Sequence, residues 1–209
     1  MTQVPGLDRT PAHYLAMKRV LDLAICVVLI PIVVPVGLLC ALLITLDSRG
    51  PIMFTQMRTG QHGVRFPMYK FRTMVQNADE LKASLQHLNI LPAPDFKIPD
   101  DPRITRVGGF LRKTSLDELP QLINVLRGDM SIVGPRPTSF SASTYDLWHS
   151  ERLEVPPGIT GLWQVKGRGT MTFDERLRLD IEYMEHRTIL LDLKLMAMTA
   201  LAVFRRSGA

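Results

Sequence analysis

Leu23–Leu46, LAICVVLIPIVVPVGLLCALLITL, holds no charged residue and carries two prolines, Pro31 and Pro35, near its middle. An apolar run of about 20 residues is long enough to cross a bilayer as a helix. The run is too long for the core of a signal peptide, and no convincing cleavage site follows it. Each proline removes a backbone donor and clashes with the preceding turn. The stretches on either side of Pro35 are each about 11 residues, ~17 Å as helix, roughly half of a ~30 Å hydrocarbon core. Charge points the same way: Arg9, Lys18 and Arg19 precede the run, and Arg49, Arg58 and Arg65 follow it. Positive residues mark the cytoplasmic side, and here both ends are positive. A hairpin that enters and leaves one leaflet satisfies both flanks. A proline-kinked spanning helix is the alternative, since membrane helices tolerate proline.

Working outward, apolar residues make up 46% of the 209-residue chain, concentrated in this run and again in Ile189–Phe204. The spacing predicts a helix over Ala78–Leu88, another over Leu119–Leu126 stopped by Gly128, and a charged one over Phe173–His186. Ile189–Phe204 reads as an apolar helix followed by Arg205 and Arg206, suited to a membrane interface. Pro51–Met74 reads as extended pieces around a turn at Gly60–Gly63, and Pro156–Gly169 as a strand or hairpin. The fold class is α+β, mostly helical, with a re-entrant membrane hairpin, a small cytoplasmic domain and interface-lying helices. Its divisions are a basic lead-in at 1–19, the hairpin at 20–46 broken at Pro31 and Pro35, and a catalytic domain at 47–209.

Net charge is +5, and no acidic residue falls between Asp47 and Asp79, where Arg49, Arg58, Arg65, Lys70 and Arg72 lie. Such a segment suits an anionic ligand or an anionic lipid surface. Nucleic acid is set aside as a partner, because no helix-turn-helix, zinc or RNA-binding signature accompanies the charge. Cys26 and Cys40 lie inside the apolar run without partner or metal-ligand spacing, and read as small buried apolar residues.

The chemistry concentrates in Asp101–Pro137, DPRITRVGGFLRKTSLDELPQLINVLRGDMSIVGPRP. Asp117 and Glu118 stand there among Arg103, Arg106, Arg112, Lys113, Arg127 and Arg136. Carboxylates within a field of cations suit phosphoryl chemistry: the cations neutralise phosphate oxygens, and a carboxylate holds a metal or attacks phosphorus. A plainer account exists, in which Ser115 and Glu118 form a capping box and the acids complement a helix dipole. Pro120 argues against it, since it would fall beyond the first turn of a helix capped at Ser115. Arg103 has a plain role open to it, pairing with Asp100 or Asp101. Arg136, stiffened between Pro135 and Pro137, presents a planar fork suited to phosphate.

These pieces together resemble the bacterial sugar transferases, the monotopic polyprenyl-phosphate phosphoglycosyl transferases, in their minimal form. The resemblance rests on KRVLD with the proline-broken run, PIMFTQMRTG, YKFRTM, the Asp101–Pro137 stretch, PGITGLWQVKGR and Asp180–Tyr183. It implies transfer of a sugar 1-phosphate from a nucleotide sugar, usually a UDP-sugar, to polyprenyl phosphate, initiating a surface glycan. It further implies that Asp117 is a nucleophile forming a phosphosugar intermediate, and that Glu118 is a ligand for magnesium (Mg2+). Arg112 and Arg136 match phosphate-contacting arginines, and Lys113, Lys70, Arg72, Arg103 and Arg168 complete the candidate substrate-binding set. The implied location is the bacterial inner (cytoplasmic) membrane, with the catalytic domain on its cytoplasmic face. Two departures from the family pattern stand out: Val34 in place of a usual serine, and Pro156 in place of a basic residue. A non-catalytic membrane module binding nucleotide sugar or anionic lipid is the rival class. The sugar and the glycan are not readable, and a homo-oligomer is compatible with the sequence.

Overall fold

The computed structural model describes residues 12–91, 96–141, 148–167 and 171–204. Arg9, Arg168, Arg205 and Arg206 lie outside the described residues, as does most of the 1–19 lead-in. The apolar run lies within one helix, α1 (Ala12–Asp47), 36 residues long and containing both prolines. No turn separates its halves. Pro31 and Pro35 sit one turn apart on one face, so the donors they lack are missing from the same side while the rest of the ladder closes.

The two ends of α1 nevertheless differ from its middle. Tyr14, Lys18, Asp22 and Cys26 are buried at a spacing of four, and Cys40 and Ile44 are buried further on. Between Val27 and Leu39 no residue is buried, and Val28 and Leu38 are 72% and 68% exposed. Both ends therefore pack on the globular part, the second from Val36 onward, and Val27–Pro35 joins no buried cluster.

Polar contacts fix each end. Near the start, Arg19 donates to the carbonyls of Val125 and Leu126, and Asp22 Oδ1 accepts from the Ile132 amide at 3.1 Å. Asp192, with no exposed surface, accepts from Lys18 Nζ at 2.9 Å, Tyr14 at 3.1 Å and Tyr183 at 2.7 Å. At the far end Asp47 accepts from the Val107 amide at 3.0 Å, and the Arg72 guanidinium holds the carbonyls of Ser48 and Arg49 at 2.6 and 2.7 Å.

β1 (Met53–Thr59) and β2 (Arg65–Phe71) form an antiparallel hairpin with Met53 opposite Phe71, turning at Gln61–Gly63 where the glycines led us to expect it. α2 (Ala78–Ser84) is followed by a 3₁₀ turn, Gln86–Leu88. α3 (Arg106–Thr114) was not anticipated; the Thr105 hydroxyl caps it by accepting from the Gly108 amide at 3.0 Å. α4 (Gln121–Arg127) stops at Gly128, whose φ of +89° suits a glycine. β3 (Ser131–Val133) pairs in parallel with β4 (Gly158–Thr160), and α5 (Leu162–Lys166), α6 (Phe173–His186) and α7 (Ile189–Phe204) complete the chain.

The expectation of a strand or hairpin over Pro156–Gly169 needs correction. Among the described residues of that stretch only Gly158–Thr160 forms a strand, and Leu162 and Val165 turn inward at helical spacing toward Val133, Tyr183 and Leu195. Two further apolar clusters seat α1. Cys26 belongs with Phe66, Met68, Val125 and Met130, and Cys40 and Ile44 with Phe71 and Leu111. β2 contributes to both, so it lies beneath both halves of the helix. The fully buried Asn124 clips α4 to β2, accepting from the Tyr69 amide at 3.1 Å and donating to the Pro67 carbonyl at 2.8 Å.

Candidate active site

Three elements converge on the acid pair. α3 ends at Ser115, in the left-handed region at φ +58°, and the chain then makes a 3₁₀ turn at Leu116–Glu118 before α4. The Ser115 side chain forms no cap, and Glu118 does not reach back to it, so the capping-box account fails here. Pro120 occupies the position just before α4, where its missing donor costs nothing.

Glu118 turns instead into a cluster of cations. Arg136 holds its carboxylate as a fork, NH2 on Oε1 and NH1 on Oε2 at 3.3 Å, and Lys70 Nζ reaches Oε1 at 2.8 Å. Burial opposes ionisation of Glu118, but Arg136 and Lys70 outweigh it and hold the carboxyl far below the usual range. Asp117 behaves oppositely. Burial pushes its carboxyl up, Lys70 opposes that, and the charge of Glu118 adds to it, with Arg112 and Arg136 also pulling it down. Two neighbouring carboxylates are thus driven apart, one a fixed anion and the other a more basic oxygen. Burial also lowers the Lys70 ammonium, against the attraction of Glu118.

Backbone contacts aim the cations. Lys70 follows Phe66 and Met68 along the inward row of β2. Arg112 donates through Nε to Thr73 Oγ1 at 2.9 Å. That contact requires α3 to lie against the end of β2, which Gly108 permits: a Cβ there would meet the Thr73 carbonyl oxygen at 2.0 Å. Arg136 follows β3, where Gly134 and Gly158 let the strands approach; a Cβ on Gly158 would meet the Gly134 nitrogen at 2.1 Å.

Of the residues singled out from sequence, Asp117, Glu118, Lys70, Arg112 and Arg136 come together. The others are placed differently. Arg72 is buried and spent on the exit from α1, as described above. Arg103 forks Asp101, with Nε at 2.9 Å and NH2 at 2.6 Å, and donates to the Ala78 carbonyl. Lys113 is exposed on α3, and Arg168 lies outside the described residues. Arg103 takes the neighbouring Asp101, the plain pairing open to it in the sequence, whereas Arg72 reaches carbonyls 23 and 24 residues away.

The donor set fits magnesium arriving on a diphosphate. Mg2+ takes hard oxygens, often one or two carboxylates beside substrate phosphates. Glu118 offers such oxygens, shared in this structure with Arg136 and Lys70, and among the described residues no group of three or more His, Cys, Asp or Glu offers a ready-made cage. Sequence reasoning missed Asn124, Arg152 and Asp192. Asn124 and Arg152 carried no local signal, whereas Asp192 stood out only as the one acid in an apolar helix.

Residues 13–206 match the bacterial sugar transferase family. The chain is 44% identical over 198 residues to an undecaprenyl-phosphate galactose phosphotransferase of Salmonella typhimurium, covering 92% of this chain and 41% of that protein. It is 42% identical to the galactosyl transferase CpsE of Streptococcus agalactiae, covering 94% and 44%. With the exopolysaccharide production protein ExoY of Sinorhizobium fredii it shares 38% identity, over 92% and 87%. The chain thus spans less than half the length of the first two relatives and most of the third. With the motifs in order, the acid pair inside its cationic cluster and a match over nearly its whole length, this chain belongs to the bacterial sugar transferase family.

Proposed function

We propose that this chain is a phosphoglycosyl transferase that moves a sugar 1-phosphate from a nucleotide sugar, a UDP-sugar by resemblance, to polyprenyl phosphate at a membrane. The observation that carries the reading is the acid pair in its cationic cluster: Asp117 buried beside Glu118, whose carboxylate is held by the Arg136 fork and by Lys70, so that burial raises the one carboxyl and the cations depress the other. In the first step an Asp117 carboxylate oxygen attacks the phosphorus bearing the sugar. The P–O bond to the nucleoside monophosphate breaks, and that group leaves with the bonding pair. In the second step an oxygen of the lipid phosphate attacks the same phosphorus, the bond to Asp117 breaks, and the carboxylate is restored. Arg112 and Arg136 bind and neutralise phosphate oxygens that would otherwise repel Asp117. Magnesium, held by Glu118 with the diphosphate, would supply charge neutralisation at the leaving group.

The acceptor sets the membrane geometry. Both ends of α1 pack on the same domain, Val36 included, while the apolar stretch Val27–Pro35 joins neither buried cluster. We read this middle as dipping into one leaflet and returning, bent at Pro31 and Pro35, where the missing donors weaken one face. A span would carry one end ~30 Å from the other across the bilayer. Helices that surround α1 expose large apolar side chains: Phe110 on α3, Ile123 and Leu126 on α4, Leu190, Leu193 and Leu201 on α7. They suit the membrane interface, on the cytoplasmic face of the bacterial inner membrane, at the depth of a lipid phosphate. The role is the first step of a surface glycan.

The test is purified chain in detergent with polyprenyl phosphate, Mg2+ and a panel of UDP-sugars. One UDP-sugar should give multiple-turnover release of nucleoside monophosphate only when acceptor is present, and no more than one equivalent per enzyme without it. Binding of a UDP-sugar with no release under any pairing would support the non-catalytic alternative.

A further inference from the structure

The stretch Gly134–Thr138 carries Arg136 between two prolines, and proline has no N–H to anchor a backbone. The Gly134 amide donates to the Thr160 carbonyl at 2.9 Å, and beyond it the backbone is held through carbonyl oxygens. Three of them are held in this structure. The Gly158 amide donates to the Pro135 carbonyl at 2.9 Å, and the Thr59 amide donates to the Thr138 carbonyl at 2.9 Å. The Arg136 carbonyl itself accepts from Arg152 NH2. The first two anchors are main-chain groups of neighbouring strands. The third is a side chain, and it lies on Trp148–Glu154, an element outside the strand pair.

Arg152 is 4% exposed and is held in turn by Asp180 of α6, 1% exposed, whose Oδ2 takes the same NH2 nitrogen at 2.7 Å. One guanidinium nitrogen therefore joins the α6 carboxylate to the carbonyl of Arg136. Arg152 also lines, with Thr59, Gly60, Pro135, Arg136 and Pro157, a shallow cavity beside this backbone. We infer that Arg152 and Asp180 are positioning residues: the pair fixes the Arg136 main chain so that its guanidinium is aimed at the acid pair and at donor phosphate.

Two details separate this from a plain structural ion pair. The pair meets through NH2 at 2.7 Å, while Arg152 Nε and Asp180 Oδ1 are buried without a hydrogen-bond partner among the described residues. A pair optimised for stability would close as a two-bond fork. Burial also pushes the Asp180 carboxyl up to about 6 despite Arg152, with Arg176 the other cation acting on it. Burying this charge therefore works against stability near neutrality, as buried ion pairs often do. What the pair secures is the carbonyl it holds.

The inference rests on the reading of Arg136 as a phosphate-holding residue, and the experiment separates the two. Asp180→Asn keeps the shape and removes the charge that orients Arg152; Arg152→Lys keeps a charge but not the planar donor, and serves if the first variant folds poorly. Hydrogen exchange of the peptide containing Gly134–Thr138 is followed alongside donor kcat/KM. Exchange there should quicken at least ~5-fold in either variant, with exchange of α3 and α4 peptides unchanged. Donor kcat/KM should fall ~10-fold, the loss of about one charge-assisted contact. In an Arg136→Ala background the same substitution should change kcat/KM less than ~2-fold, because the group it aims is gone. Unchanged exchange of Gly134–Thr138 in both variants overturns the positioning role. So does a full ~10-fold loss that persists in the Arg136→Ala background. Arg136→Ala with wild-type turnover would overturn the phosphate reading instead, and exchange would still decide whether the pair holds that backbone.

Discussion

Removing the Arg136 guanidinium should cost this protein both donor binding and resting electrostatics, and the two losses can be measured separately. In the structure the fork makes two contacts with Glu118, whose side chain is 17% exposed, while Arg136 itself keeps 30% of its side chain open to a ligand. Charge-assisted hydrogen bonds contribute ~1.5–3 kcal/mol each, and partial exposure favours the lower end. Loss of one net contact to donor phosphate, about 1.4 kcal/mol, is tenfold in rate. Arg136→Ala should therefore lower donor kcat/KM at least ~10-fold, and Arg136→Lys should recover only part, since a point charge does not replace a fork. The resting protein should change as well. Glu118 has a depressed carboxyl in the fold, so its contribution to stability is present above the ordinary carboxylate range and lost as pH falls through the folded value. With Arg136 gone the folded value rises, and acid unfolding should begin at higher pH. Nucleoside monophosphate release and thermal unfolding in detergent between pH 3 and 7 read the two effects. Turnover of Arg136→Ala within twofold of the wild type would refute the reasoning.

Because burial raises the Asp117 carboxyl and the proposed attack needs its ionised form, turnover should fall on acidification at a higher pH than an ordinary aspartate gives, as a pH profile of donor kcat/KM will show. Gly108→Ala should lower turnover ~10-fold or more while the chain still folds, because the added Cβ pushes α3 off Thr73 and carries Arg112 with it. Asp192→Ala leaves Lys18 buried without its partner, a loss of ~3–5 kcal/mol, so the melting temperature should drop by about 10 °C. For the hairpin, cysteines at His13 and Arg49 in a background lacking Cys26 and Cys40 should both resist an impermeant thiol reagent in intact cells and react once the membrane is opened. Labelling of one alone in intact cells means a span.

Much of this architecture could be read in advance, and the exceptions share a cause. The β1–β2 hairpin announced itself through the glycines at Gly60 and Gly63, α4 through Gly128, and α6 and α7 through apolar spacing. α3 escaped notice because its RVGGFLRKT carries two glycines, and only the Thr105 cap and a close fit to Thr73 make it a helix. The acid pair and Arg136 were legible because their chemistry is unusual in any fold. The Arg103–Asp101 pairing was one of the roles open in the sequence, but the fate of Arg72 was not legible, since a guanidinium serves phosphate and carbonyl oxygens alike and only the packing chooses. Arg152 and Asn124 act across gaps of 28 and more than 50 residues, as with Asp180 and Pro67, so no local pattern could join them.

The central claim is that Asp117 forms a bond to the sugar-bearing phosphorus before the lipid takes part. Exchange of labelled nucleoside monophosphate into unlabelled nucleotide sugar, measured with no polyprenyl phosphate present, tests it most directly. A covalent intermediate makes the first step reversible by itself, so label should enter the nucleotide sugar in the wild type and not in Asp117→Asn. Full turnover with acceptor but no exchange without it, or exchange that survives Asp117→Asn, would contradict the account.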